Sequence, residues 1–400
     1  MRGCLLIFFA FFPASGALRG GSLPKLMVGA VIGIAAWDAL SRWARPRLGL
    51  SELLLMAFGL WYVLAVAASP WPTLAKETMV TVVGWTIVVF ALAQLICNAG
   101  RVQAALVGYV VGSTIAGLWG IYNLASGAVP TVQIPGQDVN DTGFYTATGG
   151  VIAIGIWASR GVSPWMRRVC GVCGLVLALA VAGSLSRGST AGLALGLAII
   201  AFVNVYARWS LLKGAGLAAV LAVMTVPVWL PKFQSGAKVK GHVAGENVSS
   251  RLDAWGIGAN LGLDHPLAGV GPQSIAPYIL RAESIPPGAF VVHVAHNTVV
   301  EALYGTGVVG LALLGGGVYT AFRNARRNAH FSGGRAVIGG RAASPVLAAL
   351  AAGLICSLFT TQLFNPTMWL VLALANAGSS PVLPRLRRSS TAREPAAVPR

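Results

Sequence analysis

Three groups of residues in this chain have the types and spacing to do chemistry. Ser186-Arg187-Gly188-Ser189 lies between two apolar runs, with no acid close in sequence to pair with the arginine. A guanidinium there can fork onto a phosphate through two parallel hydrogen bonds. An arginine snorkelling to lipid headgroups fits the same residues equally well. The second group gathers Lys232, Lys238, Lys240, Arg251 and Arg281 beside Asp253, Asp264 and Glu283. Its net positive character suits an anion such as a diphosphate, or anionic lipid headgroups; for Lys238 and Lys240 solvated loop charge is the plainer reading. The third group, His293-Val-Ala-His296-Asn297-Thr-Val-Val-Glu301, runs straight into an apolar stretch. Helical spacing puts Asn297 and Glu301 on one face with His296 at the helix mouth, where an imidazole can accept a proton from a hydroxyl near neutral pH. A structural histidine at a span end is the competing reading.

Arg251 sits in Ser249-Ser-Arg-Leu-Asp-Ala-Trp255. A helix beginning at Ser249 or Ser250 would be capped by a serine and would carry Trp255 one turn beyond Arg251 on the same face. Such a tryptophan reads as an interfacial anchor more readily than as a sugar platform. The chain has no His-Glu-x-x-His pair, no phosphate-cradling Gly-x-x-x-x-Gly-Lys loop and no Gly-x-Ser-x-Gly elbow. No metal or other cofactor is expected.

The elements that must position these residues are set by composition. Of 400 residues, 56% are hydrophobic and only 10% charged, with a mean hydropathy of +0.73. Such a chain is solvated mostly by lipid. A bilayer core takes about 20 apolar residues per helix, and runs of that kind fall near 4–18, 23–40, 52–69, 78–97, 103–126, 141–159, 169–185, 190–206, 214–230, 296–320, 344–363 and 367–379. The expected fold is therefore an all-α polytopic membrane protein of about twelve transmembrane helices, with one large outer loop between spans 9 and 10. Residues 1–230 form the first part of the bundle, 231–293 the loop with its candidate anion-binding residues, 294–380 spans 10–12, and 381–400 a basic, disordered inner tail.

A net charge of +18 would suggest nucleic acid in a soluble protein. Here the basic residues lie between apolar runs, so no nucleic-acid partner is expected. With both termini inside, nine of the 29 Lys and Arg fall outside, namely Arg19, Lys25, Lys76, Arg187, Lys232, Lys238, Lys240, Arg251 and Arg281. The excess inside agrees with the positive-inside rule. The start resembles a signal peptide, with Arg2, an apolar stretch and small residues at 13–17; retention is the expectation, and cleavage would leave the orientation after Leu23 unchanged. All five cysteines lie in or beside apolar runs, so no disulfide is expected, and Cys170-Gly-Val-Cys173 has no second ligand pair nearby. Gly108-Tyr-Val-Val-Gly112 and Gly192-Leu-Ala-Leu-Gly196 have the spacing that lets helices approach closely in lipid.

Taken in order, Ser186-Arg187-Gly188, Arg251-Leu-Asp-Ala-Trp255, His265-Pro-Leu-Ala-Gly-Val-Gly271 and His296-Asn297-Thr-Val-Val-Glu301-Ala-Leu-Tyr-Gly-Thr-Gly307-Val-Val-Gly310-Leu resemble the O-antigen ligase family. Asn140-Asp141 at the sixth span also looks like that family's asparagine before a helix. The resemblance implies a metal-independent transferase that moves a glycan from undecaprenyl diphosphate onto an acceptor hydroxyl at the periplasmic face of the bacterial inner membrane. The acceptor would be a lipid A core sugar in lipopolysaccharide assembly, or a growing glycan if the protein is an O-antigen or exopolysaccharide polymerase. By the same likeness His296 would be the general base, Arg187 and Arg251 would grip the donor diphosphate with Arg281 in second rank, and Asn297 and Glu301 would support the histidine or the acceptor. A transporter of lipid-linked glycan is the reading from another class. Against it, the polar residues collect at the outer mouth and not in the middle of the spans.

Overall fold

Paired glycines and alanines let apolar helices in this chain touch backbone to backbone, and the computed structural model shows where they do. It describes residues 1–14, 23–41, 49–134, 137–159, 162–203, 251–282, 295–330 and 343–377, with a few positions between 208 and 234. These residues form α1 (Arg2–Ala14), α2 (Leu23–Ser41), α3 (Leu50–Ala68), α4 (Pro72–Leu95), α5 (Ala99–Ala125), α6 (Val139–Trp157), α7 (Pro164–Ser184) and α8 (Arg187–Val203). After a gap come α9, described over 251–264, α10 (Ala276–Ala282), α11 (Thr298–His330), α12 (Ala343–Ser357) and α13 (Pro366–Asn376). No strand occurs among the described residues.

Helix α1 lies along α5 at the closest approach the backbone allows. A Cβ on Gly108 would stand 2.3 Å from the carbonyl oxygen of Leu6, and one on Gly112 would stand 2.1 Å from that of Ala10. Gly192 and Gly196 do the same for α8 against α12, facing the carbonyls of Ala352 and Ala348. The spacings read as packing signals are packing contacts. Helix α6 is the hub, touching α5, α7, α8 and α12. Its buried threonines satisfy their hydroxyls on their own helix, Thr146 on the Thr142 carbonyl at 2.9 Å and Thr148 on that of Phe144 at 2.7 Å. That back-bonding lets polar residues sit inside an apolar bundle.

Five described helices are long and apolar enough to cross a membrane: α3, α4, α5, α7 and α11. The expected ninth span falls mostly outside the described residues. The expected span 344–363 is shorter than its apolar run, because α12 ends at Ser357 and α13 restarts at Pro366. With 11 residues, α13 reaches about 16 Å, roughly half a hydrocarbon core. Its residues from Thr367 to Asn376 are all buried, so it is packed in protein on every side. Between the two helices, residues 358–365 are left non-helical inside the bundle.

Helix α11 is broken at Gly307, whose φ of 69° and ψ of −175° are not helical. The break is filled by the segment after α9. The amide of Val308 donates to the carbonyl of Pro266 at 2.7 Å, and the amide of Val270 donates to the carbonyl of Tyr304 at 2.8 Å. A kink in a membrane helix is tolerated where such partners satisfy the freed backbone groups. The turn-rich stretch His265–Gly271 is thereby explained: it is the plug for a broken helix.

Candidate active site

Three helix starts meet at one end of the bundle, and residues 358–365 lace them together. Asp138 caps α6, accepting the amide of Asn140 at 2.6 Å. Asn140 in turn accepts the hydroxyl of Ser186 at 2.8 Å, tying α6 to the start of α8. Asn297 caps α11 by accepting the amides of Val299 at 2.9 Å and Val300 at 3.3 Å. Thr298 donates to the carbonyl of Thr360 at 2.9 Å and accepts the amide of Gln362 at 2.9 Å. The Gln362 side chain then donates to Asp141 at 3.1 Å, which returns to α6. Each helix start presents the positive end of a dipole, a setting that favours an anion.

Two arginines stand at this end. Arg251, at the first described position of α9, donates from Nη1 to the carbonyl of Phe359 at 3.3 Å. Burial pulls its pKa down and the charge of Asp138 opposes that; a guanidinium stays protonated regardless. Arg187 is the first residue of α8 and is exposed. Its neighbour Gly188 lies against Phe359, where a Cβ would come within 2.8 Å of that side chain's Cβ. Phe359 thus bridges α9 and α8, its carbonyl bonded to Arg251 and its side chain packed against Gly188, the residue after Arg187.

His296 lies between Ala295 and the Asn297 cap, half-buried and in the left-handed region with φ of 50°. Burial lowers its pKa below 6.5, the Arg251 charge lowers it further, and Asp138 works the other way. The imidazole is therefore neutral at pH 7 with a ring nitrogen able to accept a proton. Behind it, Glu301 is 1% exposed. Its carboxylate accepts the amides of Ala295 at 3.2 Å and Gln273 at 3.3 Å, and the hydroxyl of Tyr304.

Residues 172–315 match the family model of O-antigen ligase. The matched stretch covers about a third of the chain and runs from within α7 to within α11. No curated protein matches the chain. With five described helices long and apolar enough to cross a membrane, the match points to a multi-pass membrane protein similar to the O-antigen ligase family over that stretch.

The stretch that matches the O-antigen ligase model takes in Arg187, Arg251, Arg281, His296, Asn297 and Glu301. Of these the structure brings Arg251 and His296 into one electrostatic neighbourhood and places Glu301 directly behind the histidine. Asn297 does not share a helical face with Glu301, as its spacing suggested, but caps the helix that Glu301 enters. Arg281 belongs to α10 by its backbone, while its side chain lies outside the described residues. Lys232, Lys238, Lys240, Glu283 and His293 also lie outside them. Asp253 and Asp264 are exposed on α9. Asp138, Gln273, Tyr304 and the 358–365 segment were missed in the sequence. An Asp two residues before Asn140 at the start of an apolar run is a capping signal that pointed to Asp138. Nothing along the chain pointed to Phe359.

Proposed function

We propose that the protein transfers a glycan from undecaprenyl diphosphate to an acceptor hydroxyl at the periplasmic face of the inner membrane, with the lipid A core as acceptor. The observation that carries this reading is the pairing of a neutral, half-buried His296 with the charged Arg251 at the mouth of the bundle. In the proposed reaction His296 takes the proton of the acceptor hydroxyl as its oxygen bonds to the anomeric carbon of the donor sugar. The bond from that carbon to the diphosphate oxygen breaks, and undecaprenyl diphosphate departs with the electron pair. Arg187, Arg251 and Arg281 meet the charge that builds on the leaving diphosphate, the place where preorganised cations lower a barrier most. Asn297 and Glu301 hold the histidine loop. These roles need no metal ion.

The helix ends support the orientation. Arg101 opens α5, Arg167 and Arg168 open α7, and Arg323, Arg326 and Arg327 close α11. All lie at the ends remote from His296, where the positive-inside rule places the cytoplasm. The loop 231–293 is then periplasmic, and its α9 segment is docked on the bundle.

The test is product analysis in membranes supplied with lipid-diphosphate glycan and with both lipid A core and lipid-linked glycan acceptors. Glycan on the core that disappears in His296→Ala supports the ligase reading. Longer lipid-linked chains assign a polymerase with the same site. Transfer by His296→Ala at the wild-type rate overturns the base assignment.

A further inference from the structure

A non-glycine residue in the left-handed region is strained by the approach of its Cβ to backbone oxygen, so His296 keeps its φ of 50° only if its surroundings hold it. The holding is concentrated on the preceding residue. Ala295, 1% exposed, donates its amide to Glu301 at 3.2 Å. Its carbonyl, part of the peptide bond that enters His296, accepts the indole N–H of Trp255 at 2.7 Å. The two partners come from different helices, Glu301 from the first turn of α11 and Trp255 from α9, one turn past Arg251.

Helix α9 has no slack against α11. A Cβ on Gly258 would stand 2.7 Å from Cγ1 of Val300, and one on Gly262 would stand 2.5 Å from Cγ of Leu303. The element that carries the Arg251 guanidinium therefore also carries the hydrogen bond that fixes the histidine's backbone. We infer that Trp255 and Glu301 are positioning residues, which clamp Ala295 from its two sides and so set the His296 imidazole in register with Arg251. This rests on the reading of His296 as the general base. It assigns the tryptophan's role to its N–H, where the sequence suggested a membrane anchor or a sugar platform.

The experiment measures transfer to a defined acceptor across pH for wild type, Trp255→Phe, Glu301→Gln, their double variant and His296→Ala, all in native membranes. Phenylalanine keeps apolar contact and removes the N–H. Trp255→Phe should lower kcat by between about 10- and 100-fold, the scale for a small misplacement of a reacting group, with donor KM within about twofold. The acid limb of its rate profile should move up toward 6.5, the ordinary histidine value, because a released imidazole is better solvated. The charged groups facing the histidine, Arg251 from α9 and Asp138 from α6, are untouched by either substitution. Glu301→Gln should do the same, and the double variant should be no worse than the weaker single, since both act on one residue.

Wild-type turnover and an unmoved acid limb in Trp255→Phe and Glu301→Gln, beside an inactive His296→Ala, would overturn the clamp and leave the base reading standing. A raised donor or acceptor KM with an unmoved limb would make Trp255 a substrate platform instead, again against the clamp. Activity in His296→Ala would remove the reading itself, and the clamp with it. Should either single variant fail to accumulate, amide hydrogen exchange over 295–297 in the other decides the matter: selective acceleration there supports the clamp, and unchanged protection overturns it.

Discussion

The amide of Val308 donates to the carbonyl oxygen of Pro266 at 2.7 Å, across 42 residues of chain. That bond joins the break in α11 to the segment leaving α9, and so couples the helix entered at His296 to the helix that carries Arg251. Gly307 and Gly269 make the approach possible. Their φ angles are 69° and 67°, and Cβ atoms there would stand 2.3 Å from the Leu267 carbonyl oxygen and 2.2 Å from that of Tyr304.

Gly307→Ala and Gly269→Ala should each destabilise the protein by about 2 kcal/mol or more, from left-handed strain and backbone collision together. Thermal melting of the detergent-solubilised protein reads this. Gly315→Ala, also in α11 but with open space around it, should be neutral or stabilising by up to about 1 kcal/mol. Equal losses at all three positions would contradict the plug geometry.

The pH dependence of transfer follows from His296. In the proposed reaction its neutral form is the active one, and burial and Arg251 hold its pKa below 6.5. Activity should therefore be full at and above about 6.5 and fall as pH drops through the lowered value. Asp138→Asn removes the charge that raises this pKa while keeping a capping side chain, so its acid limb should move to lower pH. Arg251→Gln removes a charge that lowers it, so the limb of its residual activity should move up. Shifts of the opposite sign would refute the arrangement.

If Arg187 and Arg251 meet the diphosphate as proposed, removing either guanidinium should cost about 1.5–3 kcal/mol of transition-state binding. Arg187→Ala and Arg251→Ala should each lower kcat/KM for the donor by roughly 10- to 150-fold. Lysine at either position should recover only part of the loss, because it cannot fork onto two oxygens. Steady-state kinetics with donor varied checks this, and full recovery by lysine would point to simple charge attraction.

Asn297 tests whether a polar residue beside the histidine acts on substrate or on the helix. As the cap of α11, it should cost about 1 kcal/mol when changed to Ala. Asn297→Ser and Asn297→Asp should restore both melting temperature and transfer rate. Restored stability without restored transfer would assign Asn297 a direct role in the reaction.

The chemical types at the site were legible in the chain before any fold was known. Arg187, Arg251, His296 and Glu301 stand out because a charged or titratable group beside an apolar run is costly unless it is used or paired. The glycine pairs at 108 and 112 and at 192 and 196 announced close packing correctly, since helical spacing is a local property. Asn297 was read on the wrong footing: the pattern placed it on a helical face, and the backbone stops one residue short of including it. Asp138 was overlooked in favour of Asn140 and Asp141, its capping role being visible only as a weak local signal.

By itself the sequence determined that lipid is the solvent, that helices are the element, and that cations and a histidine gather toward one side, because hydropathy, periodicity and charge are read residue by residue along the chain. Only the tertiary structure decided which of those residues meet. Phe359, Thr360 and Gln362 come from an apolar run that looked like continuous helix, and they bind α6, α9 and α11 because α12 ends early. Ala295 carries no chemical signal at all, yet its amide donates to Glu301 of one helix and its carbonyl accepts from Trp255 of another. Such contacts are made by backbone groups that every residue possesses, so no side-chain pattern can announce them; they exist once Gly258, Gly262, Gly269 and Gly307 let distant segments come within hydrogen-bonding reach.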